Sequence, residues 1–305
     1  NNVQAAESNV SVSENSANTY VPDIIVDSNF SVGSTEKGIK TYKTISEAVA
    51  SVSENNEKEV KILIKNGTYK EKITVDKPNI TFIGESSQKT IITFDAANGV
   101  VIQTEDGGDG SATYGTEGCA TLTITENAKN FAAKDITIKN DFDEKAHSDI
   151  KNKQAVALKN DGDNSMFVNC RFSSNQDTLY ARTNKEYFKD CYIEGDVDFI
   201  FGAAQAVFEN CEIKSLDREV TETTPKGYIT APSTLAENKY GFLIINSKLT
   251  SNVTREGSVY LGRPWHPSYE TREVNSNVVY KNCEMGSHIS VEGWHTMKNV
   301  SPLTN

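Results

Sequence analysis

Short runs of alternating apolar and polar residues recur along the chain, while long helical patterns are scarce. Six runs share one form: AKDITI (Ala133 to Ile138), VNCRF (Val168 to Phe172), KDCYI (Lys189 to Ile193), ENCEI (Glu209 to Ile213), INSKL (Ile245 to Leu249) and KNCEM (Lys281 to Met285). Each reads as a short strand carrying an Asn or Asp turn residue. Aligned on these runs, Ile136, Cys170, Cys191, Cys211, Ser247 and Cys283 share one position, with gaps of 34, 21, 20, 36 and 36 residues. Helices do not repeat in this way. A period of about 20 residues is one minimal coil of a parallel β-solenoid, and the longer gaps are coils with loops inserted. A second series reads QAVALKN from Gln154, DTLYART from Asp177, DFIFGAA from Asp198, GYITAPS from Gly227 and VYLGRPW from Val259. Two strand series at a fixed offset predict two sheets of one solenoid. TISEAVASV (Thr44 to Val52) is the clearest amphipathic helix, with Thr44 or Ser46 as its N-cap. It is the capping element that an open-ended solenoid needs.

Composition changes this picture little. A chain of 305 residues with 37% hydrophobic positions can build one large core. The net charge of -11 argues against a nucleic-acid partner and against adhesion to anionic membranes. No apolar stretch is long enough to span a bilayer. Residues 1–20 are polar and rich in Asn and Ser, which predicts a flexible leader, the remainder of a removed signal. The domain is expected over 21–305. Five cysteines without a C-x-x-C, and four scattered histidines, speak against a metal site. The nucleophile elbow, the P-loop and the dinucleotide fingerprint are absent. Cys170, Cys191 and Cys211 form a ladder inside the coil, either as small buried side chains or with a Cys191–Cys211 disulfide.

The repeat brings chemistry together. Asp177 and Asp198 occupy equivalent positions of neighbouring coils, so their Cα atoms are expected about 5 Å apart. Two carboxyl groups that close do not both ionise cheaply. One pKa rises, and the pair becomes an acid beside a base or a nucleophile. Gln154 is placed at the same position one coil earlier, and Gln176 precedes Asp177. Their amides donate hydrogen bonds without charge, as an oxyanion in acyl transfer requires. Arg263, at the end of a later strand of the series, can hold one aspartate ionised. Trp265, Tyr180, Phe199 and Phe201 supply rings against which sugar faces lie. The bland reading of a single Asp at a strand start is a turn residue, and of Trp265 structural packing. The stretches 216–226 and 105–118 read as a solvated loop and as a mobile Gly-rich loop at a cleft wall.

In order along the chain, GTYKE (Gly67 to Glu71), QAVAL (Gln154 to Leu158), QDTLY (Gln176 to Tyr180), GDVDFIFG (Gly195 to Gly202) and LGRPW (Leu261 to Trp265) resemble the motifs of the pectin methylesterases. Matching stretches run from about Tyr42 to Met297. The resemblance implies an all-β fold, a right-handed single-stranded parallel β-helix, and hydrolysis of galacturonate C6 methyl esters in pectin. It implies Asp198 as nucleophile, Asp177 as general acid and then base, and Gln176 as oxyanion donor assisted by Gln154. Arg263 would orient Asp198. Trp265 and Tyr180 would line the sugar subsites, with Phe201, Val197 and Met297 as further contacts. No cofactor and no metal are implied. The substrate class implies a secreted, extracellular protein, and a capped solenoid implies a monomer. Family chains continue beyond the stretch matching GWHTM (Gly293 to Met297), whereas this one stops at Asn305, so its C-terminal end is expected to be truncated or unusually short. The rivals are a polygalacturonase or pectate lyase on a similar fold, and a β-helix that binds without turnover. The glycosidase motifs and a calcium-binding carboxylate cluster are missing, and no catalytic side chain of the esterase pattern is lost.

Overall fold

The computed structural model describes residues 20–31, 38–298 and 300–302. The expected leader, apart from Tyr20, lies outside them. The strands form three sheets of ten, eight and seven strands, stacked in coil order except at the first end of the ten-stranded sheet, where Ile24–Val26 lies between Lys40–Tyr42 and Val60–Ile64. One coil contributes one strand to each sheet. Lys185–Lys189 enters the ten-stranded sheet, Tyr192–Gly195 the eight-stranded sheet and Val197–Gly202 the seven-stranded sheet. The next coil repeats this with Gln205–Glu209, Glu212–Ser215 and Gly227–Pro232. All these neighbours pair in parallel, as a parallel β-helix requires.

Three sheets replace the two expected, and the reason lies in the recurring segments. They are corners rather than strands. In VNCRF the first strand ends at Val168, Asn169 turns, and the next strand starts at Arg171. Asp135, Asn169, Asp190, Asn210, Asn246 and Asn282 all take left-handed φ values between 51° and 56°. Asn and Asp tolerate this region better than other residues with a Cβ. Their side chains pair from coil to coil: Asn169 Nδ2 donates to Asp135 Oδ1 at 2.7 Å, and Asn210 Nδ2 to Asp190 Oδ1 at 2.6 Å.

The coil interior is filled in register. Phe167, Phe188 and Phe208 face one another across successive strands, with ring centroids 4.9 and 4.7 Å apart and planes tilted by 7°. That spacing is the inter-strand distance itself. Cys170, Cys191 and Cys211 are buried in the same core. All five cysteines are free thiols, so Cys191 and Cys211 are not bridged. The first end of the core is covered by the helix Ile45–Ala50, which buries Ile45, Ala48 and Val49. Thr44 Oγ1 accepts the Glu47 N–H at 3.2 Å, making Thr44 rather than Ser46 the cap. Glu71, the last residue of GTYKE, accepts the N–H groups of Ile45 and Ser46, each at 2.9 Å. Lys77 Nζ reaches the carbonyls of Val49, Ala50 and Val52 at the other end. Opposite charges thus satisfy the orphan groups of both helix ends.

Candidate active site

The outward face of the seven-stranded sheet gathers the singled-out side chains. Leu179 pairs with Ile200 and Tyr180 with Phe201, which sets Asp177 level with Asp198 on adjacent strands. Both aspartates have left-handed backbones, at φ 65° and 52°. Past Asp198 the strand carries a bulge. Val197 pairs with Tyr228 and Ile200 with Thr230, so three residue steps oppose two. The extra residue turns both Phe199 and Ile200 into the core. Phe199 therefore supplies no ring to the face, contrary to the sequence reading. Gly195 permits the close approach of the preceding coil, because a Cβ there would lie 2.6 Å from the Asn175 carbonyl and 2.3 Å from Phe199 Cβ.

Arg263 divides the two carboxyl groups. Its Nε donates to Asp198 Oδ1 at 2.8 Å and its Nη2 to Asp198 Oδ2 at 2.7 Å. The guanidinium lies over the Tyr228 ring, 3.9 Å from the centroid. A planar cation held on both sides in this way fixes the carboxylate it grips. The Asp177 side chain has no hydrogen-bond partner among the described residues, and both aspartates are 8% exposed. Burial pushes the Asp177 carboxyl well above its usual range, and the Asp198 charge pushes it further. Burial also raises Asp198, but there the hydrogen bonds and charge of Arg263 pull back down. Both carboxyls stay above the usual range, Asp177 by more, so the arrangement favours the proton on Asp177 and the anion on Asp198.

The glutamines are placed differently from the expectation. Leu158 pairs with Leu179, but the N–H groups of Ala157 and Leu158 share the Thr178 carbonyl in a bulge, and the Ala155 N–H donates to the Gln176 carbonyl, so Gln154 is level with Gln176 and lies one residue short of Asp177. Its Oε1 is nevertheless buried without a hydrogen-bond partner. Gln176 is half-buried on the turn before Asp177, and its carbonyl accepts the Ala155 N–H at 3.0 Å. The rings form one cluster. Tyr180 stacks on Phe201 with centroids 4.1 Å apart, and Trp265 tilts against both, at 6.1 and 5.7 Å. Met297 packs against the same cluster, as does Tyr114 from the Gly-rich loop. Tyr180 and Phe201 are buried, which leaves Trp265 as the half-exposed ring. Val197 lies outside this cluster, with its carbonyl accepting the Asp177 N–H at 3.0 Å.

Several contributors were not singled out from sequence. Tyr228 carries Arg263, and its position one coil after Asp198 was the available signal. Tyr269 joins its hydroxyl to that of Tyr180 at 2.8 Å. The 216–226 loop is more than a solvated surface: Arg218 braces it through the carbonyls of Lys226 and Pro225, at 2.7 and 2.8 Å, and its charge bears on Asp198. Among the described residues no three His, Cys, Asp or Glu side chains are grouped to hold a metal ion.

Comparison with known proteins agrees with this architecture. The Pectinesterase family model matches residues 31–304. Pectinesterase A of Dickeya chrysanthemi is 39% identical over 278 residues, covering 85% of this chain and 73% of the relative. A pectin methylesterase mutant solved in complex with a hexasaccharide superposes with a TM-score of 0.79 at 35% identity, over 88% of this chain and 80% of that one. The pectin methylesterase from carrot gives a TM-score of 0.72 at 30% identity, over 93% and 80% of the two chains. The chain belongs to the pectinesterase family and is a carboxylic ester hydrolase.

Proposed function

We propose that the protein hydrolyses the C6 methyl esters of polygalacturonan through an aspartyl acyl-enzyme, releasing methanol and leaving pectate. The observation that carries this reading is the asymmetry between two adjacent buried carboxyls: Asp198 is gripped by Arg263 at both oxygens, while Asp177 has no such partner. The Asp198 carboxylate attacks the ester carbonyl, and the carbonyl electrons move onto oxygen. Gln176, assisted by Gln154, donates hydrogen bonds to that oxyanion. When the intermediate collapses, the C–O bond to methoxide breaks and methoxide takes the Asp177 proton, leaving as methanol. Asp177, now ionised, removes a proton from water as the water attacks the acyl-enzyme. Cleavage returns Asp198 as carboxylate and Asp177 as acid, and frees a galacturonate carboxyl group.

Trp265 offers a sugar ring its exposed face, with Tyr180 and Phe201 as the floor beneath it and Met297 and Val197 at the margins. The methyl-esterified homogalacturonan reading draws support from the related pectin methylesterase that holds a hexasaccharide. The substrate class favours action outside the cell, and the capped solenoid favours a monomer. The test is methanol release from highly methylated pectin, with reducing ends and unsaturated products measured in parallel. The expected result is methanol without chain cleavage from the wild type, and none from Asp198→Ala. Chain cleavage, or full activity in that variant, would overturn the reading.

A further inference from the structure

A third acidic residue lies two positions before Asp198 and has no part in the chemistry above. Asp196 is 1% exposed, and its contacts run to both halves of the site. Oδ1 accepts the Val197 N–H at 2.6 Å, where the bulge carrying Asp198 begins. Oδ2 accepts Asn175 Nδ2 at 3.3 Å, directly before Gln176 and Asp177. Its backbone N–H donates to the Asn175 carbonyl at 3.1 Å, and its carbonyl accepts the N–H of Tyr228 at 3.0 Å. Tyr228 is the ring beneath Arg263. One carboxylate therefore touches both aspartate turns, and its backbone touches the platform of the arginine.

A buried carboxylate needs compensation. Among the described residues Asp196 has no ion-pair partner. Arg218 bears on it electrostatically, but that guanidinium donates to the carbonyls of Lys226 and Pro225. Another carboxyl, Glu144, from the insertion ahead of Gln154, bears on Asp196 by its charge and, when protonated, as a hydrogen-bond donor. Lys153 and Arg218 also face Glu144, and Lys153 Nζ donates to the Glu144 carbonyl at 3.1 Å.

We propose that Asp196 is a positioning residue for the ester hydrolysis, tying the turn of Gln176 and Asp177 to the bulge of Asp198. The inference rests on the roles given above to Asp177 and Asp198. With Glu144 protonated, Asp196 is the one charge of the two and keeps its contacts to Val197 and Asn175. Burial and the neighbouring Asp196 charge push the Glu144 carboxyl up to about 7, so the proton is lost in the neutral range. The pair then carries two charges, and Asp196 is repelled from its two partners. Its own charge already bears on Asp177.

The test follows kcat and KM for methanol release from pH 5 to pH 9 in wild type, Glu144→Gln, Asp196→Asn and Asn175→Ala, with melting curves on each. Glutamine at 144 never ionises, so the decline of kcat with rising pH should begin at higher pH in Glu144→Gln, where it is set by Asp177 alone, than in the wild type. Asp196→Asn and Asn175→Ala should each lower kcat about tenfold or more with KM within about twofold, the signature of displaced catalytic groups. The Asn175→Ala variant removes the tie without altering the buried acid pair. A decline at the same pH in wild type and Glu144→Gln would overturn the influence of Glu144 on Asp196. Unchanged kcat in folded Asp196→Asn and Asn175→Ala would overturn the positioning role. A wild type that releases no methanol would overturn the esterase reading and this inference with it.

Discussion

Two rows of left-handed residues run along this solenoid, and they are built alike and used differently. In the corner row, from Asp135 to Asn282, acid and amide side chains satisfy each other across coils: Asn169 donates to Asp135 and Asn210 to Asp190. In the second row, on the seven-stranded sheet, Asp177 meets Asp198 with no amide between them. The backbone problem is the same, a one-residue turn that an Asx residue tolerates. The side-chain problem is opposite. The corner row sets an amide donor beside each of its two acids, while the second row sets two acceptors together and leaves Arg263 to satisfy one of them. Stability explains the first arrangement. The second lowers stability, and such sites are where function is found.

The sharpest way to break the comparison is to make the second row resemble the first. Asp177→Asn places an amide beside Asp198 at a backbone position that Asn accepts. Methanol release should fall by about 10²–10⁴-fold, the range of a lost general acid and base. The melting temperature should hold or rise, because a buried carboxyl under repulsion has been replaced by a neutral donor. An activity loss accompanied by a marked drop in melting temperature would mean that Asp177 serves the fold, as the corner residues do. Arg263→Lys is the next largest effect. It keeps the charge but loses the two-pronged grip and the fit over Tyr228. Activity should fall about 10²-fold through misplacement of Asp198. Asp198 would also lose much of what holds its pKa down, and it must be ionised to attack. The acid limb of the pH profile should therefore move to higher pH. A profile that scales down without moving would separate the orienting role of Arg263 from its electrostatic one.

The sequence reading reached some of this and not the rest, for physical reasons. The period was legible because each coil needs a left-handed turn and a small core residue at the same place, so Asn or Asp before Cys recurs. The level placement of Asp177 and Asp198 followed from that period. The number of sheets did not, because apolar alternation continues through a one-residue corner, and VNCRF reads as one strand although Asn169 breaks it. Gln154 was misaligned by matching polar residue to polar residue. Matching Leu158 to Leu179, the side chains that enter the core, and allowing for the bulge at Ala157 puts Gln154 level with Gln176. Glu144 was out of reach, since it meets Asp196 through the path of an insertion that carries no period. Glu71 likewise looked like a motif residue, yet it receives the N–H groups that open the cap helix.

A smaller effect tests the corner row on its own terms. Asn210→Ala removes the donor to Asp190 and places a β-carbon with no compensating hydrogen bond at φ 51°. The backbone term alone costs about 1–2 kcal/mol. The expected result is a lower melting temperature with kcat and KM unchanged, the reverse of Asp177→Asn. A changed kcat would show that the two rows communicate through the coil interior, and the separation drawn here would fail.

The smallest effect concerns the acid pair at the border of the two regions, and its sign follows from linkage. Glu144 is raised from 4.5 to about 7 in the folded protein, chiefly by burial and then by Asp196. Between those values the folded chain holds a proton that the unfolded chain has released. The contribution is therefore fully present below about pH 4.5 and is lost as pH rises through about 7. Asp177, Asp196 and Asp198 are raised as well and slope the same way, so the wild-type curve alone does not single out Glu144. The difference between wild type and Glu144→Gln does, because the other carboxyls are common to both. The melting temperature of the wild type should fall relative to the variant between pH 5 and pH 8. A constant difference across that range would mean that Glu144 is ionised throughout, and that Asp196 is compensated by Arg218 and its hydrogen bonds alone.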